Sequence, residues 1–107
     1  MALADVEVEI CAELCYDEDD STRLLNAFRL THTRLGEAQT QIPFLVEAYQ
    51  ILSYWYALVK DEKRRRSNGE KTKLQFYEDY LEAAVKGCNT QIIASLGMLK
   101  GERFSGA

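Results

Sequence analysis

The chain has 107 residues, of which 47% are apolar and 28% are charged, with a single proline and a formal net charge of −4. This length and composition suit one domain with a modest core and argue against a disordered or fibrous chain. The apolar runs are too short for a membrane span, residues 1–14 lack the pattern of a signal peptide, and the three cysteines form no paired framework, so we expect a soluble protein of a reducing compartment.

The first two helices are predicted on either side of an acidic turn. Apolar residues from Leu3 to Leu14 recur every three or four positions, which predicts a short helix beginning near Ala2. The turn ends in Asp19, Asp20 or Ser21, each a suitable N-cap. A second helix is then predicted over residues 21–41, although Gly36 weakens its last third, so that residues 36–41 fray, bend or form a loop.

The third helix, residues 42–66, is predicted to be the central element of the fold. It opens at Pro43, which suits a first helical turn, and then carries an apolar face too broad for a surface helix. The positions of that face are Leu45, Ala48, Leu52, Trp55 and Val59, widened by Ile51, Tyr54 and Leu58. We expect most of the aromatic residues to be in the core and, because they are more than one face requires, some to be exposed as contact residues; they are Tyr49, Tyr54, Trp55, Tyr56, Tyr77 and Tyr80.

Residues 67–69, Ser-Asn-Gly, predict a helix stop, because Asn and Gly tolerate the left-handed conformation. A long fourth helix follows over residues 70–99, antiparallel to the third because the connection is short. The predicted fold is therefore all-α, a small bundle of three main helices plus a short N-terminal helix, with a single domain at residues 1–100. Residues 101–107 form a flexible tail, and we expect its large apolar residue, Phe104, to anchor it on a partner.

Chemistry-bearing residues are few, and their patterns favour structural roles. Cys11, Cys15, His32 and Cys88 can be written as a zinc set, but the cysteine spacing is not that of a zinc knuckle, and buried cysteine serves as a small apolar residue. The carboxylates Glu78, Asp79 and Glu82 are expected to support solubility and pairs along the helix. We predict no catalytic residue, no metal site and no cofactor.

Charge is distributed unevenly along the chain. Residues 1–20 contain eight acids and no base, whereas all 13 lysines and arginines follow them. Five bases lie within residues 60–66, at the negative end of the third helix. This asymmetry indicates a partner or a neighbouring subunit, with an acidic solvated face as the alternative. The predicted interaction residues are Asp17, Asp19, Asp20, Arg64, Arg65, Arg66 and Phe104.

The same charges also have two other readings. Within one chain the acidic first helix can lie near the basic end of the third helix and neutralise it. The basic run can also meet a DNA backbone non-specifically, although the chain as a whole is acidic.

Several stretches resemble the head–tail connector proteins of tailed bacteriophages. Residues 14–20 are similar to the acidic turn of those proteins, Leu24-Leu25 to the paired leucines that open their second helix, and residues 43–62 to their proline-led third helix with a Trp-Tyr pair. Residues 76–82 are similar to the last helix of related head-to-tail adaptors. The chain departs from many connectors in having a long fourth helix where they carry a strand or hairpin insertion.

The resemblance implies a structural virion protein of the phage neck, soluble in the host cytoplasm before assembly. Its expected partners are further copies of itself in a ring, commonly of about twelve, the portal protein, and a tail or neck protein, around the DNA channel. No catalytic residue comes with the resemblance, and no membrane contact is expected. The alternative is a small helical protein-binding or regulatory protein, such as a phage-encoded inhibitor of a host protein.

Overall fold

A computed structural model of the chain describes residues 4–32, 42–66 and 68–105, with side chains described for these residues apart from 68, 70 and 98–105. The described residues form four α-helices and contain no strand, which confirms the all-α prediction. Helix α1 covers Asp5–Leu14, α2 covers Glu18–Thr31, α3 covers Ile42–Arg65 and α4 covers Asn68–Ser105. Within the described residues, no helix combines the length and the apolar character that a membrane crossing requires.

The acidic turn between α1 and α2 is shorter than the sequence suggests. Asp17 is the N-cap of α2, and its carboxylate accepts a hydrogen bond of 2.9 Å from the backbone N–H of Asp19. The prediction of a cap at Asp19, Asp20 or Ser21 was therefore wrong. The earlier start places the acids at 18–20 inside the first turn, where they complement the positive end of the helix dipole.

The predicted end of α2 also moves. The helix ends at Thr31, with His32 as its C-cap, rather than near residue 41. Residues 33–41, which include the segment expected to fray or form a loop, lie outside the described residues.

The connection between α3 and α4 lies where the sequence predicts it, but for a different reason. Asn68 and Gly69 begin α4 instead of closing α3, and no described glycine has a positive φ angle. The left-handed stop that the Asn-Gly pair suggested is therefore absent from the described residues. Helix α4 continues to Ser105, beyond the predicted end at residue 99.

Helices α3 and α4 form the antiparallel hairpin on which the other helices pack. The Lys63 ammonium lies 3.0 Å from the Glu78 carboxylate near the connection, and the Cys88 thiol donates to the carbonyl of Leu45 at 3.1 Å farther along. This register places the beginning of α3 beside about residue 91 of α4. The remainder of α4 therefore extends roughly 20 Å past the beginning of α3.

The core confirms the five central positions of the predicted apolar face of α3, all of which are buried, whereas Tyr54, which was predicted to widen that face, is 60% exposed. The buried apolar side chains are Ile10, Cys11, Leu24, Ala27, Phe28, Leu45, Ala48, Leu52, Trp55, Val59, Tyr77, Leu81 and Cys88. Helix α2 packs against both α3 and α4, where the rings of Phe28 and Tyr80 meet edge to face with their centroids 5.9 Å apart. Helix α1 packs mainly on α2 and reaches α4 through polar side chains.

Candidate functional site

A buried carboxylate joins three helices. Glu7 of α1 is only 1% exposed, and its oxygens accept hydrogen bonds of 3.0 Å from the Ala4 backbone N–H and from the Tyr80 hydroxyl of α4. The Nε2 atom of His32, at the end of α2, lies 3.0 and 3.1 Å from the two oxygens. A buried carboxylate is tolerated only when its oxygens have such partners, so this cluster fixes α1 against α2 and α4.

Two further acids of α1 extend this attachment along α4. The Tyr77 hydroxyl donates to Glu9 at 3.1 Å, and the Lys73 ammonium pairs with Glu13. The order along the chain, 7 to 13 on α1 and 80 to 73 on α4, shows that the two helices run antiparallel. Glu7, Glu9 and Glu13 therefore have partners within the chain. The charge pattern of the sequence did not indicate these partners.

The pKa values of the Tyr80 hydroxyl and the Cys11 thiol indicate a structural role for this cluster. Burial and the hydrogen bond to Glu7 raise the pKa of Tyr80 to about 12, so its hydroxyl stays protonated and donating. Cys11 lies one turn beyond Glu7, and burial, with the nearby Cys15 and Glu7, raises the pKa of its thiol to about 12. A thiol with so high a pKa is a poor nucleophile, so the cluster lacks an activated attacking group.

The sequence analysis expects no zinc site at Cys11, Cys15, His32 and Cys88, and this stays a prediction. His32 faces Glu7, while the thiol of Cys88 donates to a backbone carbonyl of α3. All three cysteines are free, and the part of the chain that the structure describes contains no cluster of three or more metal-binding side chains.

An open cleft of about 570 Å³ lies where the ends of α1 and α3 meet the beginning of α4. Its floor is apolar and consists of Leu14, Leu58, Leu74 and Tyr77. The volume falls within the range of about 300–1,000 Å³ that is typical of ligand pockets. We call this feature the end cleft.

The rim of the end cleft carries charges that neutralise each other. Glu13 pairs with Lys73 across one side, and Glu62 pairs with Arg66 at 3.2 Å on the other. Tyr16 also borders the cleft and is fully exposed, immediately before the acidic turn. The cleft therefore offers an apolar floor and an exposed aromatic ring rather than a cluster of reactive groups.

The predicted acidic interaction residues lie at the beginning of α2. Asp17 caps α2, while Asp19 is exposed and Asp20 is partly buried in the first turn of the same helix. Within the described residues, no ion pair joins Asp17, Asp19 or Asp20 to a base. These carboxylates follow directly after Tyr16 of the end cleft.

The predicted basic residues at the end of α3 are largely paired along their own helix. Arg65 lies 3.0 Å from Asp61, and Arg66 lies 3.2 Å from Glu62. Arg64 is exposed, and no ion pair joins it to another described residue. The basic run is therefore a weaker anion-binding surface than its sequence suggests, although the end of α1 does lie near it across the end cleft.

The prediction that Glu78 supports solubility at the surface was wrong. Its side chain is 7% exposed, and its carboxylate pairs with the Lys63 ammonium. The prediction was confirmed for Glu82, which pairs with Lys86 one turn on at 2.9 Å and also accepts a hydrogen bond from Tyr56.

Large apolar side chains are exposed at several places, as expected for part of the aromatic set. They are Val8, Tyr16, Phe44, Val46, Tyr49, Tyr54, Phe76, Ile93 and Leu96. Tyr54 borders a second, shallower cleft of about 340 Å³ between α2 and α3. The side chain of Phe104, the remaining predicted interaction residue, lies outside the described set.

The functional features that the sequence analysis missed are the Glu7 cluster and the end cleft. Glu7 had a visible signal, since it lies three and four positions before Ile10 and Cys11 and therefore shares their buried face. The end cleft had none, because it combines the end of α1 with residues 58–77, which are distant from α1 in sequence.

Comparison of the chain with models of known protein families, with curated proteins and with solved structures gave no significant match. The similarity to phage connectors therefore stays a prediction from short motifs.

Proposed function

We propose that the chain is a structural assembly protein of a tailed bacteriophage, a head–tail connector or adaptor that forms a ring between portal and tail. The observation that carries the proposal is the exposure of nine large apolar side chains among the residues whose side chains are described. Such side chains cost solubility in an isolated domain and are typical of surfaces that other proteins cover.

The distribution of these side chains supports an assembly role over a single binding site. Tyr16 lies at the end cleft, Tyr54 borders the second cleft, and Ile93 lies on the part of α4 that extends beyond the start of α3. A subunit in a ring between two other proteins needs several separate contact surfaces, one for each neighbour. The acidic turn and the motifs of α3 agree with the connector resemblance.

The charges add specificity to this role. The acids at 17–20 have no basic partner among the described residues, so they are available to a neighbouring subunit, the portal or a neck protein. Arg64 is exposed at the end of α3 and forms no ion pair with another described residue, so it is suited to a contact with a DNA backbone in the channel. Charges of this kind steer docking and register more than they raise affinity.

The test is the copy number of the protein in purified phage particles, measured by quantitative mass spectrometry against the portal protein. A connector is present at the portal's copy number or a simple multiple of it. Absence from the particles would refute the proposal.

The second candidate, a small helical regulatory protein that binds a host protein, uses the same kind of exposed surface. It is distinguished by its location, since such a protein is abundant in infected cells and absent from particles. An affinity purification from infected cells that recovers a host protein in equal amount, with none of the chain in virions, would favour this alternative.

A further inference from the structure

Two large apolar side chains in the C-terminal part of α4 are left exposed by the other described residues. Ile93 is 62% exposed and Leu96 is 45% exposed, although both are large and apolar. The helix continues to Ser105, and positions 100, 103 and 104 follow the same helical spacing as 93 and 96. We call positions 93, 96, 100, 103 and 104 the α4 stripe.

The chemistry of the α4 stripe is apolar and basic. Its residues are Ile93, Leu96, Lys100, Arg103 and Phe104, while the nearby acid, Glu102, falls at a position on the opposite side of the helix. An amphipathic helix with this pattern suits an apolar groove next to negative charge.

The end cleft has the matching properties. Its floor is made of leucine side chains and Tyr77, and the exposed Tyr16 at its edge leads into the acids at 17–20, which have no basic partner among the described residues. The rim acids Glu13 and Glu62 are already neutralised by Lys73 and Arg66, so the acidic turn is the negative charge that remains for a basic partner.

The two surfaces of one molecule are too far apart to meet. Leu74 in the end cleft and Leu96 in the stripe lie on the same helix, separated by roughly 33 Å at 1.5 Å per residue, and Phe104 lies about 45 Å away. The helix runs from Asn68 to Ser105 without a break, so the stripe cannot turn back onto its own cleft.

We infer that the end cleft binds the α4 stripe of a second copy of the chain. In this contact Phe104 and Leu96 lie on the leucine floor beside Tyr16, and Lys100 and Arg103 lie beside Asp17 and Asp19. The contact is head to tail, since different surfaces of the two copies meet. It deepens the proposed assembly function by naming the contact between neighbouring subunits, and it replaces the predicted pairing of the acidic turn with the basic run at 60–66.

The first test measures binding of an acetylated peptide of residues 90–107 to the ¹⁵N-labelled full chain with Phe104→Ala, whose own stripe is disabled. Circular dichroism first checks that this variant keeps the wild-type helicity. We expect amide shifts confined to the end cleft, including Gly69 and Lys73, with saturation on titration. The same peptide with Phe104→Ala binds at least about tenfold more weakly, as expected when a central anchor is removed.

A matched pair of receptor variants separates the end cleft from other exposed aromatic surfaces. Tyr16→Ala weakens peptide binding at least about fivefold, whereas Tyr54→Ala, which removes an exposed tyrosine of the second cleft, leaves it unchanged. Both tyrosines are exposed, so neither substitution removes a core side chain. Shifts at the second cleft, equal effects of the two variants, or no binding at millimolar peptide would overturn the inference.

The second test uses mixing. The full chain with Phe104→Ala and the full chain with Tyr16→Ala retain one functional surface each, so a mixture forms a one-to-one dimer and nothing larger, as measured by analytical ultracentrifugation. Larger species in the mixture, or a dimer of either variant alone as strong as that of the mixture, would contradict a head-to-tail contact.

Failure of this contact and failure of the proposed function give different results. A chain that is stoichiometric in virions but binds no peptide refutes the contact and leaves the function, whereas peptide binding by a chain absent from virions does the reverse.

Discussion

Replacement of Glu7 is the most direct test of how α1 is held to the rest of the bundle. In Glu7→Gln the side chain keeps its size, but only one of the two oxygens that accept from Ala4 and Tyr80 remains, that oxygen is neutral, and the contact with His32 loses the carboxylate charge. Hydrogen bonds to charged groups contribute about 1.5–3 kcal/mol and neutral ones about 0.5–1.5 kcal/mol, so three weakened bonds amount to roughly 3 kcal/mol.

Part of this loss is recovered, because a neutral amide is cheaper to bury than a carboxylate. We therefore expect the free energy of unfolding to fall by about 1–2 kcal/mol in Glu7→Gln. Glu7→Ala removes the acceptor entirely, leaves its donors without a protein partner and costs about 3–5 kcal/mol. Urea unfolding followed by far-UV circular dichroism measures both values.

Glu13→Gln is the matched control, since Glu13 lies on the same helix but at an exposed position. Its ion pair with Lys73 is solvent-exposed, so its loss changes stability much less than the loss of the Glu7 carboxylate does. A double-mutant cycle of Glu7→Gln with His32→Gln gives the coupling of the buried pair. We expect a coupling clearly different from zero, because Nε2 of His32 lies 3.1 and 3.0 Å from the two oxygens of the buried Glu7. A Glu7→Gln effect equal to that of the control, or a coupling of zero, would refute this account of the cluster.

Trp55→Ala should lower the free energy of unfolding by about 3–5 kcal/mol in urea titrations, because it empties a buried site in the core, and a near-neutral value would place the ring outside the core. The free energy of unfolding should fall as the pH rises from 10.0 toward about 12. In this range the Tyr80 hydroxyl ionises in the unfolded chain but stays protonated in the folded chain, where its pKa is raised. Tyr80→Phe should flatten this dependence in alkaline circular dichroism titrations. Cys11 should resist alkylation in the native protein near neutral pH by intact-mass analysis and react after unfolding, and rapid native labelling would contradict its burial. Arg64→Glu should leave helicity and melting unchanged while reducing incorporation into particles, whereas the reversal of residues 64–66 together should also destabilise the fold, since it sets new carboxylates beside Asp61 and Glu62.

The apolar periodicity of α3 was sufficient to predict its buried face. Leu45, Leu52 and Val59 are each separated by seven residues, and such spacing keeps side chains on one side of a helix whatever packs there. The hairpin with α4 followed for a similar reason, because two long helices joined by a very short connection must be antiparallel. These features depend on local geometry, which a sequence displays directly.

Polar contacts between distant segments were not predictable in the same way. Glu7 accepts a hydrogen bond from Tyr80, which lies 73 positions later in the chain, and the sequence around neither residue indicates this contact. The number of bases in residues 60–66 also overestimated the free positive charge of this segment. Arg65 and Arg66 pair with Asp61 and Glu62, which lie one turn earlier on the same helix. The N-cap at Asp17 was missed because Asp17, Asp19, Asp20 and Ser21 are all suitable N-caps and lie within five residues of each other.

The attachment of α1 sets the order in which the bundle opens. Only Ile10 and Cys11 of this helix are fully buried apolar residues, and much of its hold on α4 comes from carboxylates that bind Tyr80, Tyr77 and Lys73. The α3–α4 hairpin, in contrast, contributes most of the core and is closed by a very short connection. Backbone amides of α1 therefore exchange with solvent deuterium through a local opening of lower free energy, while those of the hairpin exchange through global unfolding. Detachment of α1 also exposes Leu58 and Leu74, so the cleft at this end of the molecule exists only while the first helix is docked.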